Sequence, residues 1–504
     1  MVNELKTERR SDESASPLLT VALTLLFLAL PLASVANDQA VREAKFYEVQ
    51  TYDFPEDLKL EISGMTRMPD GDIAVTLRKG EIWIIGNAYD PKNVKYKIFA
   101  TGLHEPLGLT FRDGSFYTVQ RTEMTRITDR NQDGTADEYM TVAKGWGVSG
   151  SYHEYAYGPQ FDHDGNAWIT LNCAIGKGPK MSDNAFRGWS FMVTPKGQMT
   201  PMSGGFRSPS GIGMNLAGDI FATDQQGNWF PTCPVVHVKK GAFHGHADSL
   251  KFTDLPGATF KIEGKLPSGL TVAEAAKKIG PYKLPAVWLP YRKVGMSSTD
   301  ILCDTTKGRF GPFAGQLFVG EFTMSFVSRV FLEKVKGEYQ GACFRFREGL
   351  QCAALRMEWG KDGSMFVGQS NRGWNSLGTR SYGLQRIIWN GKMPFEIKTM
   401  EAKPDSFRLT FTKPVNPLIA KSTQAYQLIS YTYPYHSRYG GDELNKKTLK
   451  IKKATPSKNG LAVDLQVEGL REGYVHELDA SRLRGKAGEE LLHAQAYYTL
   501  NQIP

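Results

Sequence analysis

Asp164-Gly165-Asn166-Ala167-Trp168-Ile169-Thr170-Leu171 is a glycine turn running straight into a strand of apolar and β-branched residues. Glycine supplies the left-handed backbone such a turn needs, and Asp-Gly ahead of an apolar run is a strong hairpin signal. The unit recurs at Asp70-Gly71, Asp113-Gly114, Ala217-Gly218, Ala314-Gly315 and Asp362-Gly363, each time followed by an apolar strand. The six glycines stand 43, 51, 53, 97 and 48 residues apart. A step in the forties or low fifties suits one four-stranded blade, so six copies predict an all-β chain whose main body, residues 45–395, is a six-bladed β-propeller. The 97-residue step contains no further unit of this kind. It holds instead a run, VAEAAKKIG over 272–280, that reads as a short helix. An insertion over about 251–300 is expected there, and such loops commonly shape a site.

Beyond residue 392 the rhythm stops. Strands near 406–412, 425–433, 447–452 and 461–467 predict a small antiparallel β-sandwich, Ig-like, over 396–504. The aromatic run Ala425–His436 within it reads as a packed sheet face.

Hydrophobic residues make up 41% and charged residues 22% of the 504, and the net charge is +9. These are ordinary values for a globular chain. With no long basic run or arginine-rich helix, nucleic acid is not an expected partner. Leu18–Leu30 is an uninterrupted apolar run, and Ser34-Val35-Ala36 follows with small residues at a cleavage site. Residues 1–36 are therefore predicted to be a signal peptide and the protein to be exported, to a periplasm, the medium or the cell surface. Left uncleaved, the segment would tie the protein to a membrane.

There are five cysteines. Cys343 and Cys352 flank a stretch that reads as a hairpin turning at Glu348-Gly349. They can form a disulfide there or stand as two unrelated buried thiols. No Cys-x-x-Cys-His is present, which excludes a covalently held c-type haem of the usual kind.

Four segments carry candidate chemistry. Asp129-Arg-Asn131-Gln-Asp133-Gly134-Thr-Ala-Asp137 sets oxygen ligands at alternate positions with a glycine between, the pattern of a calcium loop, although no acid fills the twelfth place. Asp and Asn in the same pattern also make polar turns by binding their own backbone. His153, just ahead of the third blade, is placed to face the channel as a general base. Gly205-Phe206-Arg207-Ser208-Pro209-Ser210-Gly211 lets backbone approach a ligand while Arg207 offers a fork to a carboxylate or quinone oxygen. Asp224 ends the strand after it. His104, His153 and Arg207 precede their turn glycines by similar offsets. With Asp224 they are expected to line one pocket, walled in part by the insertion.

These segments resemble the soluble quinoprotein glucose dehydrogenases and sorbosone dehydrogenases. His153 and Phe161–Leu171 resemble that family's catalytic-histidine blade. Gly205–Gly211 is similar to its Gly-x-Arg-Asn-Pro-x-Gly segment, and Ala222–Gly227 is similar to its strand ending in Glu-His-Gly. Asp224–Trp229, Gly311–Gly315, Gly337–Gly341 and Arg372-Gly373-Trp374 most resemble the secreted membrane-bound-dehydrogenase branch common in planctomycetes. The likeness covers about residues 45–395, and the tail from Tyr431 also looks like that branch.

The resemblance implies pyrroloquinoline quinone (PQQ) and calcium as cofactors and a sugar or polyol as substrate. A cytochrome is implied as electron acceptor. His153 would take the substrate's hydroxyl proton while hydride passes to the quinone. Arg207 would hold the quinone, with Gly227 and Asn228 beside calcium, and Ser208, His104 and Asp224 are expected to join Arg207 as quinone-binding residues from their places around the same pocket. Three departures stand out. Leu171-Asn172-Cys173 replaces the family's Leu-Gly-Asp, so the acid that orients the base is missing. Ser208 and Asn228 replace an asparagine and a proline, and no lysine matches the quinone-binding one. These departures favour a second expectation, a non-catalytic propeller binding carbohydrate or protein at the cell surface. A third, a calcium-dependent lactonase-type hydrolase, needs Glu105, Asn172 and Asp224 to converge on an ion.

Overall fold

In the computed structural model, which describes residues 38–175 and 184–504, all six turn glycines have positive φ, from 76° at Gly114 to 101° at Gly71. Each joins the first two strands of a four-stranded antiparallel blade, and the six blades, the fifth of them part of a larger sheet, form a propeller. The innermost strands, in order, are Ile62–Arg67, Thr110–Arg112, Ala156–Phe161, Gly211–Met214, Ser298–Cys303 and Ala354–Trp359. The second strands are Ile73–Leu77, Ser115–Val119, Ala167–Leu171, Ile220–Thr223, Leu317–Glu321 and Met365–Ser370. Blades bury both faces against their neighbours, so a strand such as Ile73–Leu77 is buried at every position. That is why these strands read as continuous apolar runs rather than as alternating ones.

A hydrophobic cluster fills each of the six inter-blade seams. In the seam between the fifth and sixth blades, Phe318 packs on Phe310, Phe346 and Trp359. Truncating so enclosed an aromatic to alanine costs about 3–5 kcal/mol.

The ring closes through the start of the chain. Tyr47–Thr51 is the outermost strand of the sixth blade and pairs with Tyr382–Trp389. A helix over 38–44 precedes it. Its Glu43 meets His493 at 2.9 Å and Arg347 at 3.3 Å, and His493 reaches Glu396 at 2.7 Å. The signal segment expected over 1–36 lies outside the described residues.

The fourth blade is interrupted between its third strand, Cys233–His237, and its fourth, Val287–Leu289. The excursion therefore lies between residues 237 and 287, and the span 251–300 was misplaced. That span takes in both Val287–Leu289 and the start of the fifth blade's Ser298–Cys303. A three-residue strand closed by prolines carries no turn glycine to announce it. Within the excursion, helix Val272–Lys278 starts on a capping box between Thr271 and Glu274.

The tail forms a β-sandwich. One layer is Ile397–Lys403, Ser406–Phe411, Ala462–Val467 and Ile451–Pro456. The other is Gln495–Leu500, Tyr474–Asp479, Gln427–Thr432 and Leu444–Thr448, and it continues the fifth blade into one eight-stranded sheet. The join is Glu338–Arg347 against Gln495–Leu500, with Ala342 opposite Tyr498. Residues 348–353 are thus a link between blades, not the hairpin turn expected. All five cysteines are buried free thiols. Cys343 hydrogen bonds to Trp288 O and Cys352 to Asn371 Oδ1, so the two are unrelated thiols and not a disulfide.

Candidate functional site

The second strand of every blade ends on the same rim, and a polar residue stands at or just past each end: Arg78, Arg121, Asn172, Asp224, Glu321 and Arg372. A cavity of ≈ 520 Å³ opens on this rim, and its lining includes His153, Arg207, Ser208, Arg78, Arg372 and Trp374. Among the described residues, three arginines line it and no aspartate or glutamate does.

Of the three, Arg78 pairs with Glu105 and Arg372 with Glu61, while Arg207 has no ion-pair partner among the described residues. Arg207 is only 7% exposed, yet its guanidinium makes one long hydrogen bond, to Gln226 O at 3.4 Å. Its backbone is fixed from behind by Asp224. That fully buried carboxylate accepts the N–H groups of Arg207, Ser208 and Gln225 at 2.7, 2.8 and 2.6 Å. Burial pushes the Asp224 carboxyl up to about 6, against those three hydrogen bonds. The guanidinium rests on Gly227, where a Cβ would stand 2.1 Å from Nε, and faces the Tyr439 ring at 5.3 Å. Tyr439 comes from the sandwich, whose loop crosses the rim through Gly440 N–H to Gly227 O (3.0 Å) and Trp229 N–H to His436 O (3.0 Å).

His153 sits on a tight turn in which the Tyr155 N–H donates to His153 O at 2.8 Å. Arg121 secures the turn by donating to Tyr152 O at 3.1 Å and Ser151 O at 3.0 Å. Burial, then the charges of Arg207 and Arg121, hold the imidazole below its ordinary value. It is therefore neutral at pH 7 and able to accept a proton. Further round the same rim, buried Glu321 accepts the N–H groups of Met296 and Ser297, which line the cavity. Burial pushes its carboxyl up to about 7.

His153, Arg207 and Ser208 thus share one cavity. Asp224 stands behind it, not in it. His104 is exposed and outside it. Glu105, next in sequence, takes a positive φ of 48° and turns inward instead, pairing with Arg78 and, at 2.8 Å, with Arg121. Glu105 is thereby neutralised, and Asn172 spends its amide on Ser208 Oγ at 2.9 Å. With Asp224 locked to backbone, these three do not converge on an ion, and the hydrolase cluster is not formed.

Calcium does not fit the residues proposed for it. In the 129–137 loop, both oxygens of Asp129, of Asp133 and of Asp137 accept N–H donors of the loop itself. The Lys97 ammonium also donates to Asp133 O at 3.2 Å. Asn131 is spent in the same turn. At the rim, Gly227 O already accepts from Phe230 and Gly440, and Asn228 Nδ2 is bound to Ser437 O at 2.7 Å.

PQQ, a planar polyanion, does fit. Among the described residues the lining brings three guanidinium groups to the cavity, those of Arg78 and Arg372 paired with Glu105 and Glu61 and that of Arg207 unpaired and facing the Tyr439 ring, with Tyr152 and Trp374 in the same lining. Arg78, Arg121 and Arg372 were missed from the sequence. Their signal was the repeat itself, since Arg78 and Arg121 each stand seven residues past a turn glycine, Gly71 and Gly114.

Fold and rim define a six-bladed propeller carrying a cationic cavity at the ends of its second strands. The family described as Domain of unknown function (DUF7133) matches residues 43–276. No curated protein matches the chain. Among solved structures, the chain is similar to an oxidoreductase (glucose dehydrogenase) of Thermus thermophilus. Identity is 17% and the TM-score 0.47, covering 68% of this chain and 100% of that one. It is also similar to the PQQ-bound aldose sugar dehydrogenase of Streptomyces coelicolor (14%, TM-score 0.47, 68% and 98%). A third is the apo-form of the soluble aldose sugar dehydrogenase of Escherichia coli (15%, TM-score 0.45, 68% and 100%).

Proposed function

We propose that the rim cavity holds PQQ and that the protein is a quinone-dependent dehydrogenase of a sugar or polyol. The observation that carries this is Arg207, a buried cation without an ion-pair partner among the described residues, in a cavity whose other two described arginines are paired with Glu105 and Glu61. A buried guanidinium with so few partners is costly unless an anion completes it. When bound, the quinone supplies a two-electron acceptor. Arg207 then holds its oxygens in a charge-assisted fork, Gly227 leaves room for that arginine, and His153 accepts the proton of the substrate hydroxyl. Trp374 and Tyr439, both largely exposed at the mouth, offer apolar faces to the substrate. Calcium has no part in these steps. Export, with cleavage before Asn37, and electron transfer to a cytochrome belong to the same proposal. Mass spectrometry of the exported chain tests the first.

Equilibrium dialysis of the purified protein with PQQ tests the central claim. Wild type should take up one equivalent. Arg207→Ala should bind at least tenfold more weakly, since one charge-assisted hydrogen bond is worth about 1.5–3 kcal/mol. No uptake, or uptake indifferent to Arg207, refutes it.

One observation favours the second reading, a binding propeller without catalysis. Among the described residues the His153 ring makes no hydrogen bond to an orienting carboxylate, and by the resemblance Cys173 stands in the place of that acid. If that reading holds, loaded protein binds aldoses but does not reduce an artificial acceptor dye.

A further inference from the structure

Cys173 stands two residues past the end of the third blade's second strand, with its N–H on Arg207 O at 2.9 Å. Its Sγ lies 3.2 Å from Phe206 O and 3.7 Å from His246 Nδ1. His246 arrives from the excursion of the fourth blade and is fixed by its own N–H on Gly205 O at 2.9 Å. Asp248 follows two residues on. The sulfur, an imidazole nitrogen and a carboxylate oxygen all lie within 4.8 Å of one another. Neither His246 nor Asp248 has a role in the steps proposed above, and the calcium and quinone positions lie elsewhere.

We propose that Cys173, His246 and Asp248 form a binding site for a divalent transition metal, zinc foremost. On a tetrahedral zinc, with Zn–S of about 2.3 Å and Zn–N of about 2.0–2.1 Å, sulfur and nitrogen stand about 3.6 Å apart. The pair is already at that separation. A thiolate, imidazole and carboxylate set suits zinc and not calcium or magnesium, which prefer all-oxygen shells. Three protein ligands leave a fourth position for water. Access is through Asp248, which is half-buried while Cys173 and His246 are enclosed. The weak contact of His246 Nδ1 with Asp248 N–H, 3.4 Å, is readily given up. The Cys173 thiol proton passes to solvent as the metal binds. The metal would clip the third blade, the Phe206-Arg207 turn and the excursion together, whether or not the cavity binds a quinone.

Cobalt(II) titration of the full chain after chelator treatment tests this. One equivalent should give a near-ultraviolet thiolate-to-cobalt charge-transfer band together with visible bands of a four-coordinate ion. Cys173→Ala should abolish the charge-transfer band. Asp248→Ala, at the half-exposed position, should retain the band at saturation but weaken binding at least tenfold. Zinc alone should raise the melting temperature of wild type and not of Cys173→Ala. A missing band in wild type, a band that survives Cys173→Ala, or an affinity unchanged in Asp248→Ala overturns the proposal.

Discussion

The carboxylate of Asp224 accepts the backbone N–H of Arg207 at 2.7 Å, so the acid stands behind the arginine and aims it rather than facing the ligand. Burial holds Asp224 near 6, above its unfolded value near 4. A raised carboxyl favours the folded state at low pH, and that contribution is lost as pH rises from about 4 to 6. Asp224→Asn removes the ionisation. Wild type should therefore lose up to about 3 kcal/mol relative to the variant between pH 4 and 6.5. Urea unfolding at both pH values reads the gap, and a gap independent of pH would show that Asp224 ionises freely.

His153→Ala should lower turnover of PQQ-loaded protein by about 10²–10⁴-fold while quinone affinity stays within twofold. Because burial, Arg207 and Arg121 depress the imidazole, the acid limb of the rate profile should fall below pH 6.5. Turnover that survives in His153→Ala would remove it as the base.

Gly227→Ala forces a Cβ against Arg207 Nε. Quinone affinity should drop at least tenfold in equilibrium dialysis, with melting temperature little changed, because only the arginine must move.

The 129–137 loop should behave as a polar turn. Asp129→Ala with Asp133→Ala should lower the melting temperature by the same amount in calcium and in chelator. A larger loss in calcium would restore the ion to the loop.

His493 lies between Glu43 and Glu396. Burial alone would push its imidazole down, but the two carboxylates more than reverse this and hold it at about 10. A raised histidine stabilises fully below its unfolded value near 6.5 and loses that contribution as pH climbs through about 10. His493→Gln should cost about 3–5 kcal/mol at pH 6 and clearly less at pH 10.5, as read by denaturant unfolding.

The blades were legible because each carries a turn glycine that no other residue replaces cheaply. Val287–Leu289 was not, since a three-residue strand in the four residues between Pro285 and Pro290 has no period. Ring closure by Tyr47–Thr51 was hidden too, because its partner lies more than 330 residues away in the chain. In the site, a similar offset brought His153 and Arg207 to one cavity but put His104 outside it. There a positive φ at Glu105 exchanges which of two neighbours points inward, and no periodicity reports a single backbone dihedral. The 129–137 loop misled for a chemical reason, since Asp and Asn at alternate positions serve backbone donors as well as cations. Cys173 was legible only as a departure from a family pattern. Its partners His246 and Asp248 come from an excursion without repeat character.

Glu338–Arg347 is shared between the fifth blade and the tail, with Gly341, Ala342 and Cys343 paired to the chain's last strand. A propeller ending at residue 395 would bare this edge, together with the buried Phe344 beside it. An uncovered apolar edge recruits other strands. The two units are therefore heritable only as a pair. Recombination that moved the propeller into another protein would carry an adhesive margin with it, and a new partner would have to supply a replacement strand in register.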